Sequence, residues 1–502
     1  MNNKFNKTYR RDKDNNQNIL TDAFVDAYAS SLQFYSRLNR TFFESLSVPL
    51  LDERLPDERE ELLEVKKGTK RETKKSCLTD YYDYIKIQNE YYKNHEKIIM
   101  SRIRNKFDKN FREEEFTRSL SDFIDSNSGL AKLIGFGQIY QYASNFTSLW
   151  NNTFIEPIRD TVLRTTSHKI YSENKYSLFH YDVPRKEMKV KGGEKEMERK
   201  AKTSTPVLII YAFINRHYIL DLLPNSSIVL SLQRRGLDIF ATDWGTPSAY
   251  DKKLTIGHYV NNYLVDAINQ ITKHTGADKV SLFGYCWGGN LALMLASLYP
   301  DKIKSIVTLA TPGDFSMDNN LLSIWTGSIN PDTITDTFGN VPGSFINNAF
   351  LLRSPIEYLH KYPHFFLERI ELLDLESVIE FFATEIWLYD SPPVTGEIYR
   401  QFVRDCYQNN LFIKNQMIIG EDGSPSIQID LRKIKVPFLN VIASKDDLVA
   451  PASSKALNNA IGSSDKSVLE FNSGHVGACI GSRAHKELWP KVAEWLKTRS
   501  LP

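Results

Sequence analysis

Of the four cysteines in this chain, Cys286 stands in the run Gly284-Tyr285-Cys286-Trp287-Gly288-Gly289. The apolar segment Val280-Ser281-Leu282-Phe283 precedes it, and a helix-like run from Asn290 to Tyr299, closed by Pro300, follows. Glycines flanking a nucleophile at this spacing permit a sharp strand-to-helix turn, which lifts the side chain above the sheet with the helix N-terminus beneath it. That end of a helix favours an anion, and a thiolate gains from it directly. The pattern predicts a nucleophile elbow for covalent acyl transfer, with sulfur in place of the more usual hydroxyl. The plainer alternative is a small cysteine packed in a βα turn.

A thiol is mostly protonated at neutral pH, so such a cysteine needs a base within reach and an acid to orient that base. In α/β-hydrolase folds the chain order is nucleophile, acid, histidine. Among ten histidines, His475 alone combines a late position, a preceding apolar segment (Val468 to Phe471) and a flexible turn, Ser473-Gly474-His475-Val476-Gly477. The acid should follow the strand before that, where Ala443-Ser444-Lys445-Asp446-Asp447-Leu448-Val449 offers two carboxylates, and Asp314 is a third option. Spacing leaves Asp446 and Asp447 open, since one carboxylate at most lies along the imidazole axis. The oxyanion hole should use the backbone N–H of Trp287 and a second from the loop after the first buried strand, near Phe213 and Ile214. Asn215 and Arg216 in that loop would fix its geometry or contact substrate. Cys479 has no elbow around it and reads as packing. His360 and His364 have H-x-x-x-H spacing, but Pro363 breaks the helix that would align them and the glutamate of H-E-x-x-H is missing, so no metal site is expected.

These groups need a scaffold. Val207 to Tyr211, Leu237 to Ala241, Ile303 to Leu309, Pro437 to Ile442 and Val468 to Phe471 read as short buried strands, and Tyr176 to Asp182 alternates. Helical patterns lie between them (Val260, Leu264, Ala267, Ile268, Ile271) and close the chain (Leu488, Val492, Trp495, Leu496). Strands alternating with helices predict an α/β fold with a mainly parallel central sheet. Residues 314–430 are long, aromatic and poor in strand signals, and an insertion there would form a helical cap over the nucleophile. The charged stretch Arg185 to Lys202 reads as a solvated loop.

Residues 1–165 form a separate N-terminal helical region. Its first twenty residues are too polar to order themselves. Phe24, Tyr28, Leu32, Tyr35, Leu38 and Phe42 then repeat at helical spacing, and helical patterns resume over 81–112 and 116–150. Residues 166–502 would be the catalytic domain. A net charge of +2 and basic pairs in 52–76 without aromatic interleaving give no case for nucleic acid. The dispersed cysteines and the lack of a cleavable signal predict a reduced, cytoplasmic setting. The longest apolar runs fall far short of the roughly 18 residues that suggest a membrane span.

The motifs now in hand resemble polyhydroxyalkanoate synthases, particularly the class III type, whose short catalytic subunit works with a helper subunit. The resemblance covers about 165–502. It runs through Tyr171-Ser172-Glu173-Asn174-Lys175, Tyr211 to Arg216, Asp243-Trp244-Gly245, the cysteine elbow and Asp336 to Gly343, then Tyr407-Gln408-Asn409-Asn410, Lys445 to Val449 and Gly474 to Gly477. It implies an acylated Cys286, His475 as the base, and Asp446 aiding activation of the 3-hydroxyl. Asp446 matches the family's acid, with Asp447 replacing its usual histidine. The implied substrate is a 3-hydroxyacyl-CoA, most simply 3-hydroxybutyryl-CoA, and CoA is released without any bound cofactor. A growing polyester chain, a granule surface, a homodimer and a helper subunit are the implied partners, in the cytoplasm on polyester granules. A thioester on sulfur keeps the acyl group activated for transfer to a hydroxyl, which a serine ester would not. Trp287 departs from the family's frequent Gln, and the N-terminal region has no counterpart in typical class III subunits. Two rival readings are a cysteine-dependent thioesterase or dienelactone-hydrolase-like hydrolase, and an inactive granule scaffold.

Overall fold

A computed structural model describes residues 165–182, 205–318, 320–351, 365, 372–420 and 426–500. The helices expected before residue 165 and the charged stretch 185–202 lie outside them, as do His360 and His364. By internal contacts the chain falls into two units, 1–149 with 354–378 and 150–353 with 379–502. The first contributes Phe365 and 372–378 to the described residues; the second carries the sheet.

Eight strands form one sheet in the order β1 (Ser167–Glu173), β2 (Tyr176–Tyr181), β4 (Ile239–Asp243), β3 (Val207–Ile210), β5 (Val280–Tyr285), β6 (Ile303–Leu309), β9 (Phe438–Ala443), β10 (Lys466–Phe471). β1, β2 and β4 pair antiparallel, and every pair from β4 to β10 is parallel. The central strands are predominantly apolar and buried on both faces, as strands covered by helices on both sides must be. β3, β5 and β9 are buried at every position, whereas edge strand β10 alternates between exposed and partly covered residues. A separate ribbon pairs β7 (Ile418–Ile419) with β8 (Ile427–Gln428).

The helices are α1 (Ile228–Gln233), α2 (Val265–Thr275), α3 (Trp287–Leu298), α4 (Leu321–Ser328), α5 (Pro331–Phe338), α6 (Gly343–Leu351), α7 (Leu375–Tyr389), α8 (Gly396–Gln401), α9 (Pro451–Ala460), α10 (Gly477–Ile480), α11 (Ser482–Glu487) and α12 (Trp489–Ser500). α3 is buried from Trp287 through Ser297. A helix apolar on every face has to lie inside the molecule. Between β6 and β7 the described chain is helical, α4 to α8. Two π-helical turns, Tyr259–Leu264 before α2 and Phe402–Gln408 after α8, have no signature in the periodicity of the sequence. Parallel strands present all their C-terminal ends at one edge of the sheet, and the loops after β3, β5, β9 and β10 meet there.

Candidate active site

Cys286 ends β5 and caps α3 with φ 53° and ψ −126°. A residue with a β-carbon adopts this backbone only under constraint, at about 1–3 kcal/mol. The constraint is visible: Cys286 N–H donates to Leu309 O on β6, and Gly289 N–H donates to Cys286 O, both at 2.9 Å. The flanking glycines are required by contact. A β-carbon on Gly284 would lie 2.4 Å from Gly289 Cα, and one on Gly288 would lie 2.0 Å from Ile210 O. That second approach sets the start of α3 directly against the end of β3, and the Trp287 ring lies 5.4 Å from that of Phe213 in the loop after β3. Trp287 opens α3, so its N–H has no partner within the helix.

His475 follows β10 and is buried; its Nδ1 meets Asp446 Oδ2 at 2.7 Å. An ionised carboxylate only accepts, so Nδ1 carries the hydrogen and Nε2 is left to hydrogen-bond the Cys286 sulfur. Asp446 Oδ1 accepts from the backbone N–H groups of Leu448 and Val449, both at 2.9 Å. Burial by itself disfavours a charged imidazole, but the Asp446 carboxylate and the Cys286 sulfur together outweigh it and raise His475 from 6.5 to about 10. The arrangement favours the protonated imidazole, which is what a base that takes up a proton here requires.

Of the two carboxylates that spacing left open, Asp446 reaches the imidazole. Asp447 is exposed, and its carbonyl accepts from Asn320 Nδ2 at 3.1 Å. Asp314 caps the turn Phe315–Met317 and accepts from Asn410 Nδ2 at 2.7 Å. Burial pushes the thiols of Cys406 and Cys479 well up, while Cys286 is partly open. Asn215 and Arg216 are both tied to the helical insertion. Asn215 Nδ2 donates to Leu388 O (3.0 Å) and Ser391 Oγ (2.6 Å), and Arg216 Nε to Asp390 Oδ1 (3.2 Å). Neither lines the cleft that holds Cys286, whereas Phe213 and Ile214 both do.

That cleft encloses about 680 Å³ of atom-free space, its mouth included, and its walls are almost wholly apolar: Phe213, Trp287, Phe402 and Tyr407 stand around Cys286. Two features of the site had no signal in the sequence. Asp318 Oδ1 accepts from Ala450 N–H at 2.8 Å, and Asn320 Nδ2 donates to the carbonyls of Asp447 (3.1 Å) and Leu448 (3.2 Å), so the segment after β6 clasps the acid loop. Tyr407-Gln408-Asn409-Asn410 was visible as a motif without a job. Gln408 ties to Ile329 O at 2.7 Å, and Asn410 takes Phe315 N–H at 3.1 Å, lacing the far end of the helical insertion to its beginning. Among the described residues, one group could hold a metal ion, His168, His180 and Asp182, on the β1–β2 edge rather than in this cleft.

Residues 205–478 match a family model described as alpha/beta hydrolase fold. The chain is 37% identical over 332 residues to the poly(3-hydroxyalkanoate) polymerase subunit PhaC of Allochromatium vinosum, covering 66% of this chain and 88% of that one. It is 36% identical over 344 residues to the subunit of the same name from Haloferax mediterranei, covering 68% of this chain and 65% of that one. The Synechocystis subunit is 37% identical, with 59% of this chain and 78% of the relative aligned.

Proposed function

This chain belongs to the PhaC family of poly(3-hydroxyalkanoate) polymerases, built on the alpha/beta hydrolase fold, and from that premise we propose that it polymerises (R)-3-hydroxyacyl-CoA into polyester through an acyl-cysteine at Cys286. The observation that carries the reading is the cysteine elbow, whose Cys286 lines an apolar cleft, joined to a buried His475–Asp446 pair behind it. In the first half-reaction the Cys286 thiol gives its proton to His475 Nε2, and the thiolate attacks the thioester carbonyl. The oxyanion is met by the backbone N–H of Trp287 and one from the Phe213–Ile214 loop. Collapse breaks the carbon–sulfur bond to CoA, and the departing thiolate takes the proton from His475. In the second, a 3-hydroxyl gives its proton to His475 as its oxygen attacks the acyl-cysteine, forming an ester and restoring the thiol.

Asp446 acts in both halves through the imidazole. One of its oxygens holds His475 and the other two backbone N–H groups, and its side chain is 1% exposed, so it does not itself touch the 3-hydroxyl. The apolar walls favour ester formation over hydrolysis by limiting water beside the thioester. The substrate reading is 3-hydroxybutyryl-CoA, with CoA as product and no resident cofactor. Granule association, dimerisation and a helper subunit belong to the same proposal. No helix among the described residues is long and apolar enough to cross a membrane.

The deciding experiment measures CoA release from 3-hydroxybutyryl-CoA by the full chain and by Cys286→Ala, with product mass read in the same samples. Release with high-mass polyester, absent in Cys286→Ala, is the expected result. Release with free hydroxy acid alone would make the protein a thioesterase, and no release, with or without a helper subunit, would leave a scaffold.

A further inference from the structure

Trp287 is covalently next to the nucleophile, and its side chain lines the same cleft. It is 2% exposed, with ring centroids 3.9 Å from Phe402 (edge-on, at 80°), 5.4 Å from Phe213 and 6.0 Å from Phe315. Its Nε1 is buried and has no hydrogen-bond partner among the described residues. An indole normally finds an acceptor for that hydrogen when buried. Here the ring is held by packing alone, wedged among aromatic rings from the β3 loop, the segment after β6 and the π-helical turn, which leaves it little freedom to swing aside.

In the acylation proposed above, a residue that supplies an oxyanion N–H would stand beside the acyl carbons next to the carbonyl. A bulky, immobile ring there fills the space into which a long 3-substituent would extend. We propose that Trp287 is a specificity-determining residue, closing the acyl end of the cleft so that 3-hydroxyacyl groups with a short alkyl substituent are accepted and longer ones are excluded. This rests on the polyester-synthase reading.

The test is kcat/KM for CoA release from 3-hydroxybutyryl-CoA and 3-hydroxyhexanoyl-CoA by the full chain, Trp287→Ala and Trp287→Phe. The expected result is a hexanoyl-to-butyryl ratio raised about 10-fold or more in Trp287→Ala, since one or two methylenes in a pocket are worth that much. Trp287→Phe, which keeps a ring and drops the unpartnered N–H, should stay near the wild-type ratio. A Trp287→Ala ratio within about twofold of wild type, with butyryl turnover retained, overturns the inference. Should Trp287→Ala fail to fold, Trp287→Leu is read the same way, an unchanged ratio again overturning it. Wild type inert on both substrates refutes the synthase reading, and the inference falls with it; turnover of both with an unmoved ratio refutes the inference alone.

Discussion

A carboxylate in this site does different work according to what its oxygens touch. Asp446 has both oxygens satisfied and orients His475. Asp318, also buried, has fewer donors: burial raises its carboxyl from 3.8 to about 7 against the one opposing bond from Ala450 N–H, and the Asp446 and Asp314 charges add to the rise. A folded-state pKa raised above the unfolded value means that the native chain holds more protons between those values, so this group's stabilising contribution is complete below about 4 and is lost as pH rises through 7. Asp318→Asn keeps an oxygen to accept from Ala450 N–H and cannot ionise. It is expected to shrink the fall in Tm between pH 5 and pH 7.5, measured by thermal melts of both proteins in matched buffers; an unchanged slope would remove Asp318 from the account. Cys286 and His475 were legible because residue type, chain order and flanking glycines converge on them. Asp446 and Asp447 are adjacent in sequence and equal in chemistry, and what separates them is the direction of a buried turn.

At the level of elements, the elbow depends on two strands and a helix meeting more closely than side chains allow. Gly288 faces the carbonyl of Ile210, and the obstacle is backbone that has no rotamer to yield. Gly288→Ala is expected to destabilise the protein by about 3 kcal/mol, read as a lowered denaturant midpoint, and to abolish acylation of Cys286 by moving the start of α3 away from β3. A β-carbon on Gly327 meets nothing within 4 Å, so Gly327→Ala should leave both readouts near wild type and serves as the control. Strand existence was legible here, because buried parallel strands are short, predominantly apolar runs. The π-helical turn Phe402–Gln408 was not, since one extra residue in a helical turn shifts the face of Phe402 and Tyr407 without altering composition.

Across the whole molecule, the helical insertion is tied to the loop after β3, the proposed oxyanion loop, through Asn215, which adopts φ 61° and bonds Leu388 O and Ser391 Oγ. Asn215→Gly retains the backbone conformation and removes the ties. It should lower kcat for CoA release by about 10²-fold, the scale of a misplaced oxyanion donor. Asp390→Ala removes the ion pair to Arg216, whose partners are 26% and 43% exposed, and should change stability by about 1 kcal/mol or less. Equal effects of the two on kcat would show that the insertion acts as a unit rather than through Asn215. The sequence by itself determined the elbow, the parallel α/β scaffold and the nucleophile–acid–histidine order, because each is a local pattern of residue type and period. Tertiary structure alone decided which acid turns inward, that Asn215 and Arg216 hold the loop instead of lining the cleft, and that Asp318 and Asn320 clasp the acid loop. The first depends on a contact between residues 29 positions apart and the others on hydrogen bonds across more than a hundred, and no local pattern encodes where such partners meet.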